Sequence, residues 1–536
     1  MSSGRAGFQP GTGASADNIV SLQAHKAGQR PKSSAGAAVA KPRKEAKHKA
    51  AKSARKARVE TEPSRGASDA PKQEPGAAGT KLMRRDLPSV ALLAAGKVLR
   101  DRVPRQAHGS WKRDKGKVDP LKILRASDKG RQEHLLPIRY GRMLQSPFTF
   151  YRGAAAVMAV DLARTPNTGL RVQACGDCHL LNFGGFATPE RNILFDINDF
   201  DETLPAPWEW DVKRLVASFV LAARSNGLSD SDGRDAAVTC ARSYRKRLRD
   251  YSEMSPLEVW YARITDDDVA NMATSELVKA RIRKRVAEAT EKSSPEFAYP
   301  QLTGMVSGQI RINDAPPLIY HPDDVTAGEL HAHGEEILRF YRDTLSDDRR
   351  ELFDQYRLVD VAHKVVGIGS VGTRCFISLM MSANNDPLFL QWKEARPSVL
   401  EPHAGASAYS HHGQRVVMGQ RLMQPATDVF MGWVTGRAGR QGYVRQLRDA
   451  KVKPLVETMD AALLMQYAQL CGWVLARAHA KAGNEELKIT GYLGKQDKFD
   501  EAMGNFALLY ADQTERDHAA LKTAVRAGKI EVHLEE

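Results

Sequence analysis

The rhythm of apolar and polar positions changes several times along this chain, and each change predicts an element. Residues 1–80 hold one Phe and almost no large aliphatics, so they offer no periodic apolar face. From Asp86 to about residue 160 the apolar positions recur at helical spacing, broken by a basic loop at Trp111–Lys117. Over Gly169–Asp201 the period shortens, and GLRVQACGD, HLLNFGGFATPER and NILFDINDFDE read as strand, loop and strand. Helical spacing returns over 208–225, 230–251 and 256–290. Residues 300–322 predict a β-hairpin region and 326–357 a helical one. Residues 358–395 predict three strands around a glycine-rich turn, followed by a helix near 409–423. Two short strands (428–435 and 442–448), a long helix over 455–482 and helical segments to about 528 complete the order. No internal repeat is visible.

With 536 residues and 42% apolar content, the chain can bury at least one large core. No run approaches the ~20 apolar residues of a membrane helix. The first residues, MSSGRAGFQP, contain no apolar signal segment. Five cysteines, an odd number, do not make a disulfide framework and suit a reducing compartment. The expectation is a soluble, cytoplasmic protein without membrane partners.

Mapping the charge changes its meaning. Of the net +15, residues 1–80 supply +9, from fifteen Lys/Arg against six Asp/Glu. The excess therefore marks a tail, expected to be disordered over 1–85 because it cannot bury enough apolar surface to offset its ordering entropy. Its run KPRKEAKHKAAKSARKAR (41–58) is suited to weak contact with nucleic acid or an acidic partner, but no aromatics interleave with the charge.

The chemistry concentrates in two places. In CGDCHLLNFGGF, Asp177, His179 and Asn182 sit on a loop between two predicted strands, and Asp199 follows 22 residues after Asp177 in NDFDE. Phosphoryl transfer asks for such a set: one carboxylate to orient and deprotonate a hydroxyl, with a second carboxylate and an amide oxygen to hold Mg²⁺ against phosphates. The second place is VVGIGSVGTRCFISLMM, where Gly367, Gly369 and Gly372, with Ser370 among them, have G-x-G-x-x-G spacing. A dinucleotide fold would follow these glycines with a helix. Here a strand follows, then a turn at Ala383–Pro387, then a strand bearing Lys393, which is the arrangement of a kinase phosphate loop.

GDCHLLNF resembles the GD-x-H-x-x-N pattern of aminoglycoside phosphotransferases and choline kinases at Gly176, Asp177, His179 and Asn182. NDFDE is similar to their D-F/W-x-D turn, with its acids one residue closer together, and WEWDVKRL places Asp211 at a helix start as those enzymes place an acid. The resemblance implies Asp177 as catalytic base, Asn182 and Asp199 as metal ligands, Asp201 assisting, and His179 supporting the loop. Cys175 stands where such kinases often have His. SPFTFYRGAAAVMAVDLA, FDINDFDETLPAPWEWDVKRL, YVRQLRD and YADQTERDHAAL resemble, in addition, the bacterial domain-of-unknown-function family 2252, over roughly 85–530.

The kinase resemblance implies an α+β, two-lobe protein-kinase-like fold. The catalytic motifs precede the nucleotide lobe, so the fold would be circularly permuted, which compact domains tolerate when the cut falls in a surface connection. The expected division is a helical catalytic part over 86–357, a five-stranded nucleotide-binding lobe with one helix over 358–450, and 451–536 completing the catalytic lobe. Gly367, Gly369, Ser370, Gly372 and Lys393 would bind ATP, helix 409–423 would be the lobe's own helix, and Arg448–Val452 the adenine hinge. That helix offers Gln414 and Gln420, with Gln424 at its edge, but no acid to pair with Lys393. The function expected is Mg-ATP-dependent phosphotransfer to an unknown hydroxyl acceptor. A catalytically inactive nucleotide-binding regulator, or a nucleotidyl transferase, is the alternative.

Other readings use the same residues. Cys175, Cys178 and His179 form a C-x-x-C-H haem motif, but haem attachment belongs outside the cytoplasm and ignores Asn182 and Asp199. Zinc at those three lacks a fourth ligand with chelating spacing. Cys240, Cys375 and Cys471 read as core hydrophobes and His479 as a satisfied core histidine, while Arg139, Arg142 and Arg152 are suited either to an anionic ligand or to structural roles.

Overall fold

Strand pairing in the second half of the chain organises the larger sheet. The computed structural model describes residues 88–114, 118–273, 275–292, 295–323, 325–447 and 451–534. The predicted tail 1–85, Lys115–Lys117 of the basic loop and 448–450 of the predicted hinge lie outside the described residues. All described residues fall within one contact unit, Gly79–Glu536.

Thirteen strands are described: β1 (Arg171–Ala174), β2 (Phe183–Ala187), β3 (Ile193–Ile197), β4 (Leu204–Pro207), β5 (Thr303–Val306), β6 (Gln309–Ile312), β7 (Ile319–Tyr320), β8 (Tyr356–Lys364), β9 (Cys375–Ser382), β10 (Pro387–Glu394), β11 (Gly432–Thr435), β12 (Gln441–Gln446) and β13 (Lys451–Val452). The largest sheet has the order β11-β12-β10-β9-β8-β7, with every pair antiparallel. It therefore has six strands, not the five expected from 358–450. The extra edge strand β7 comes from the preceding segment, where Pro316 and Pro317 precede a run too short to show alternation.

Period-2 alternation divides β10 between two environments. Leu388, Leu390 and Trp392 pack on one face with Leu338 and Tyr341 of helix Ala327–Arg342. Phe389, on the other face, joins Ile377 and Leu379 under Leu302, Ile312 and Ile319. Gln391 and Lys393 continue that second face beyond its apolar patch. Both are buried.

The main core is helical. Helices Trp208–Ser225, Asp230–Ser252, Ala461–Gly483 and Lys498–Arg526 surround Trp208, Tyr244, Cys240, Cys471 and Phe506. Trp208 and Tyr244 stack with centroids 5.7 Å apart. The last turn of helix Ala461–Gly483 lies against β1, with Gly483 at Val172. Among the described residues no helix is long and apolar enough to cross a membrane.

The fold is α+β as expected, with differences in detail. The predicted helix 256–290 is three helices (Pro256–Tyr261, Asp266–Met272 and Glu276–Lys292), because Ser255 and Thr265 each form a capping box that starts a helix afresh. The region 326–357 is two helices, Ala327–Arg342 and Asp347–Phe353, and its end already belongs to β8. β4, absent from the expectation, pairs with β1 despite its two prolines.

Candidate functional site

The loop after β1 is built around one buried carboxylate. Asp211, in the first turn of helix Trp208–Ser225, accepts hydrogen bonds from the backbone N–H groups of Cys175 (2.7 Å) and Gly176 (3.0 Å). Gly176 has φ +85°, and a Cβ there would lie 2.3 Å from the carbonyl oxygen of Glu202, so only glycine fits. Helical spacing puts Arg214 three residues beyond Asp211, and its Nε donates to Oδ1 of Asp177 at 2.6 Å. The guanidinium lies over the Tyr151 ring, 4.4 Å from its centroid. Burial would lower the pKa of Arg214, but the Asp177 charge overrides it and holds the guanidinium above its ordinary value.

The β2–β3 hairpin then returns the chain to the same place. Phe183 pairs with Ile197, and the carbonyl of Asn182 accepts from the Asn198 N–H at 2.7 Å, so Asn182 and Asp199 become neighbours. The Asn182 amide nitrogen donates to the Asp177 carbonyl at 2.6 Å, leaving the side-chain oxygen as an acceptor. His179 is buried, its pKa is pushed down to about 3 by desolvation, and its Nδ1 has no partner.

The late half of the chain reaches this place through β10 and β12. Lys393 and Tyr443 are cross-strand partners, and both bind Asp201: Lys393 Nζ at Oδ2, and the Tyr443 hydroxyl at Oδ1 (2.8 Å). Ser370 Oγ also donates to Oδ2, at 3.2 Å. Burial would raise the pKa of Asp201, yet Lys393 and Tyr443 hold it below its ordinary value. Lys393, despite burial, is held above its own ordinary value by Asp201. Helix His412–Met423 contributes Arg415, not an acid. Its guanidinium donates to the backbone carbonyls of Asp201 (2.8 Å), Thr203 (2.7 Å) and Arg396 (2.8 Å).

The glycine-rich loop lies between β8 and β9. Gly367 (φ +61°) and Gly372 (φ +85°) adopt left-handed backbone that a side chain would strain. Gly369 does not, and a Cβ there would find nothing closer than 3.7 Å. The loop carbonyls are held from the early half: Arg142 donates to Gly367 (2.6 Å), Arg131 to Val371 (2.5 Å) and the Gln132 N–H to Gly372 (2.8 Å).

Between these groups lies a cavity of about 360 Å³. Asp177, His179, Asn182, Asp199 and Asp201 line it from the early half, and Gly367, Gly369 and Ser370 from the late half. Gly372 does not line it, and Lys393 reaches it through Asp201. A second cavity of about 220 Å³, lined by Phe195, Met459, Tyr467 and other mainly apolar side chains, has no such convergence of polar groups.

The donor set suits a hard divalent cation. Asn182 offers an amide oxygen, and the Asp199 carboxyl is held above its ordinary pKa by burial and then by the Asp201 charge, so a nearby cation would relieve it. Cys175 and Cys178 form a different group. Their sulfurs and a carboxylate oxygen of Asp211 lie within 4.8 Å of one another, but desolvation raises both thiols, Cys178 to about 12. Asp211 is engaged by two backbone N–H groups and by His479 at 3.2 Å. That group packs and anchors the loop.

Residues 131–524 match the family described as "Uncharacterized protein conserved in bacteria", DUF2252. The chain belongs to the DUF2252 family. No curated protein and no solved structure matches it. Within this DUF2252 chain, sequence reasoning had not singled out Arg214, Arg415, Tyr443, Arg131 or Arg396. Arg214 had a signal, one helical turn after Asp211, whereas Tyr443 is set opposite Lys393 only by the pairing of β10 with β12. The other arginines are reached by tertiary contact alone.

Proposed function

We propose that this chain is a Mg-ATP-dependent phosphotransferase acting on a hydroxyl acceptor, in a two-lobe kinase-like fold whose parts are encoded in swapped order. The observation that carries the reading is the meeting of Lys393 and Ser370, from the late half, with Asp201, beside a cavity that Asp177, Asn182, Asp199, Gly367 and Gly369 also line. The glycine-rich loop joins the first and second strands of the β8–β9–β10 block and the lysine sits on the third, as in protein kinases. Helix Ala461–Gly483 ends against β1, the strand that leads into Asp177, which is the adjacency expected if a kinase helix and its catalytic loop had been cut apart.

On this reading the loop N–H groups and Lys393 hold the triphosphate, and Asn182 and Asp199 would hold Mg²⁺. Bound Mg²⁺ supplies charge neutralisation on the phosphates. The acceptor oxygen forms a bond to the γ-phosphorus as the bond to the β–γ bridging oxygen breaks and ADP leaves. The acceptor proton passes to Asp177. Arg214 binds Oδ1 of Asp177, which orients Oδ2 as the accepting atom. His179, neutral and buried, supports the loop without carrying charge.

Incubation with γ-labelled ATP, Mg²⁺ and a panel of alcohols or cell extract tests the proposal. Transfer of label to a non-protein acceptor is expected. Transfer of α-label instead would make the chain a nucleotidyl transferase. One observation favours an inactive regulator: Asp177 and Lys393 are both already held in ion pairs. In that case nucleotide binds, and no label moves.

A further inference from the structure

The cavity has a second set of charged groups that the proposed transfer does not use. Arg131, Arg139, Arg152 and Arg396 line it together with the carboxylates, and Arg152 lies close enough to Asp177 and Asp199 to feel their charges. Arg139 is paired with Asp128 at 2.8 Å. Among the described residues no carboxylate stands within ion-pair distance of Arg131, Arg152 or Arg396. Backbone carbonyls hold two of them in place: Ser127 O accepts from Arg131 Nε (3.1 Å) and from Arg396 Nη1 (3.2 Å), and Lys129 O accepts from Arg396 Nη2. Two guanidiniums are thus fixed on a single carbonyl, side by side. Burial, then the charges of Arg139 and Arg396, push the pKa of Arg131 down to about 9. Arg139 Nε and Arg152 Nε are buried and have no hydrogen-bond partner.

Like charges held side by side with no directly paired carboxylate raise the free energy of the fold unless a ligand offsets them. Guanidiniums present planar, paired N–H donors that match phosphate oxygens. We propose that the acceptor of this site is itself a phosphate monoester, whose phosphate docks on Arg131, Arg152 and Arg396 while its hydroxyl faces Asp177. This rests on the phosphotransferase reading and narrows it to a class of substrate: a phosphorylated alcohol or sugar.

The same arginines have another source of phosphate within reach, the nucleotide itself, and a titration separates the two. Inorganic phosphate and glycerol 3-phosphate are titrated calorimetrically into the full chain, alone and saturated with Mg²⁺ and a non-hydrolysable ATP analogue. Binding of glycerol 3-phosphate to the analogue-saturated protein, at one per chain, is expected. Arg396→Gln, whose bonds do not involve the glycine-rich loop, should weaken that binding about 10-fold or more and the analogue's affinity by less than about 3-fold. Arg396→Lys, which retains the charge, should fall between, and it guards against a folding defect in the glutamine variant. If phosphate binds only in the absence of the analogue, or Arg396→Gln weakens the analogue instead, the arginines serve the nucleotide; the inference then fails and the phosphotransferase reading stands. If the analogue does not bind at all, both fall.

Discussion

Lys393 Nζ binds Oδ2 of Asp201, a residue 192 positions earlier in the chain, and both side chains are largely buried. The helix next to the larger sheet supplies no acid for this lysine. Its Arg415 holds the Asp201 backbone, so the turn that carries Asp199 also supplies the lysine's counter-charge. Breaking one side of a buried pair leaves an uncompensated charge. Lys393→Met and Asp201→Asn should each lower unfolding free energy by about 3–5 kcal/mol in denaturant titrations, and the double variant by less than the sum. Additive losses would mean that the two side chains are not coupled.

Two glycines of the loop should separate fold from ligand. Gly372 has φ +85° and its Cβ would sit 3.0 Å from that of Arg131, so Gly372→Ala should cost about 1–2 kcal/mol of stability. Gly369 has neither constraint. Gly369→Ala should melt as the parent does and yet bind Mg-ATP more weakly, because the added methyl faces the cavity where the backbone would approach phosphates. Thermal melts with and without Mg-ATP measure both effects.

Asp177→Ala should reduce kcat by about 10³-fold while leaving Mg-ATP affinity within a few-fold, since on the proposed mechanism it removes the proton acceptor and leaves the phosphate loop intact. Arg214→Met should reduce stability as well as rate, because Arg214 fills a fully buried position between Tyr151 and Asp177. Equal turnover in Asp177→Ala would remove Asp177 from the proposed chemistry.

If Asp199 holds Mg²⁺ as proposed, the pH dependence of metal binding follows from its carboxyl. Its carboxyl is held above the ordinary value first by burial and then by Asp201. Protons therefore compete with Mg²⁺ at a higher pH than at an exposed aspartate, which titrates near about 3.9. Mg²⁺ affinity should be complete well above the raised value and fall as pH drops through it. Linkage gives this group the opposite effect on the metal-free fold, because its protonated form is favoured there. Its contribution to stability is present at low pH and lost as pH rises through the raised value. Calorimetric Mg²⁺ titrations of the parent and Asp199→Asn across pH 4–7 check the sign, and the variant should lose the dependence.

His179 supplies a second, independent pH effect. Its pKa, pushed to about 3 by burial, lies below the ordinary value near about 6.5, so the unfolded chain binds the extra proton first. Stability from the neutral ring is complete above that ordinary value and declines as pH falls towards about 3. His179→Gln should flatten the slope of unfolding free energy against pH in this window relative to the parent.

The sequence by itself determined the local elements and the identity of the chemical groups. Helix 208–225 is legible residue for residue because its apolar positions keep one period from Trp208 to Ser225, and the strand holding Lys393 is legible because a short apolar and aromatic run follows the turn at Ala383–Pro387. The motif around Asp177 could be read because the Gly176 turn, Asp177, His179 and Asn182 are close in sequence. Only the tertiary structure decided what faces what. β7 joins the large sheet through two residues, too few to carry a period. The counter-ion of Lys393, the Arg214 clamp on Asp177 and the arginines that line the cavity come from segments separated by 37 to 192 residues or more. Spacing in sequence cannot fix such distances, because they are set when the helical core buries its apolar faces and carries these side chains with it.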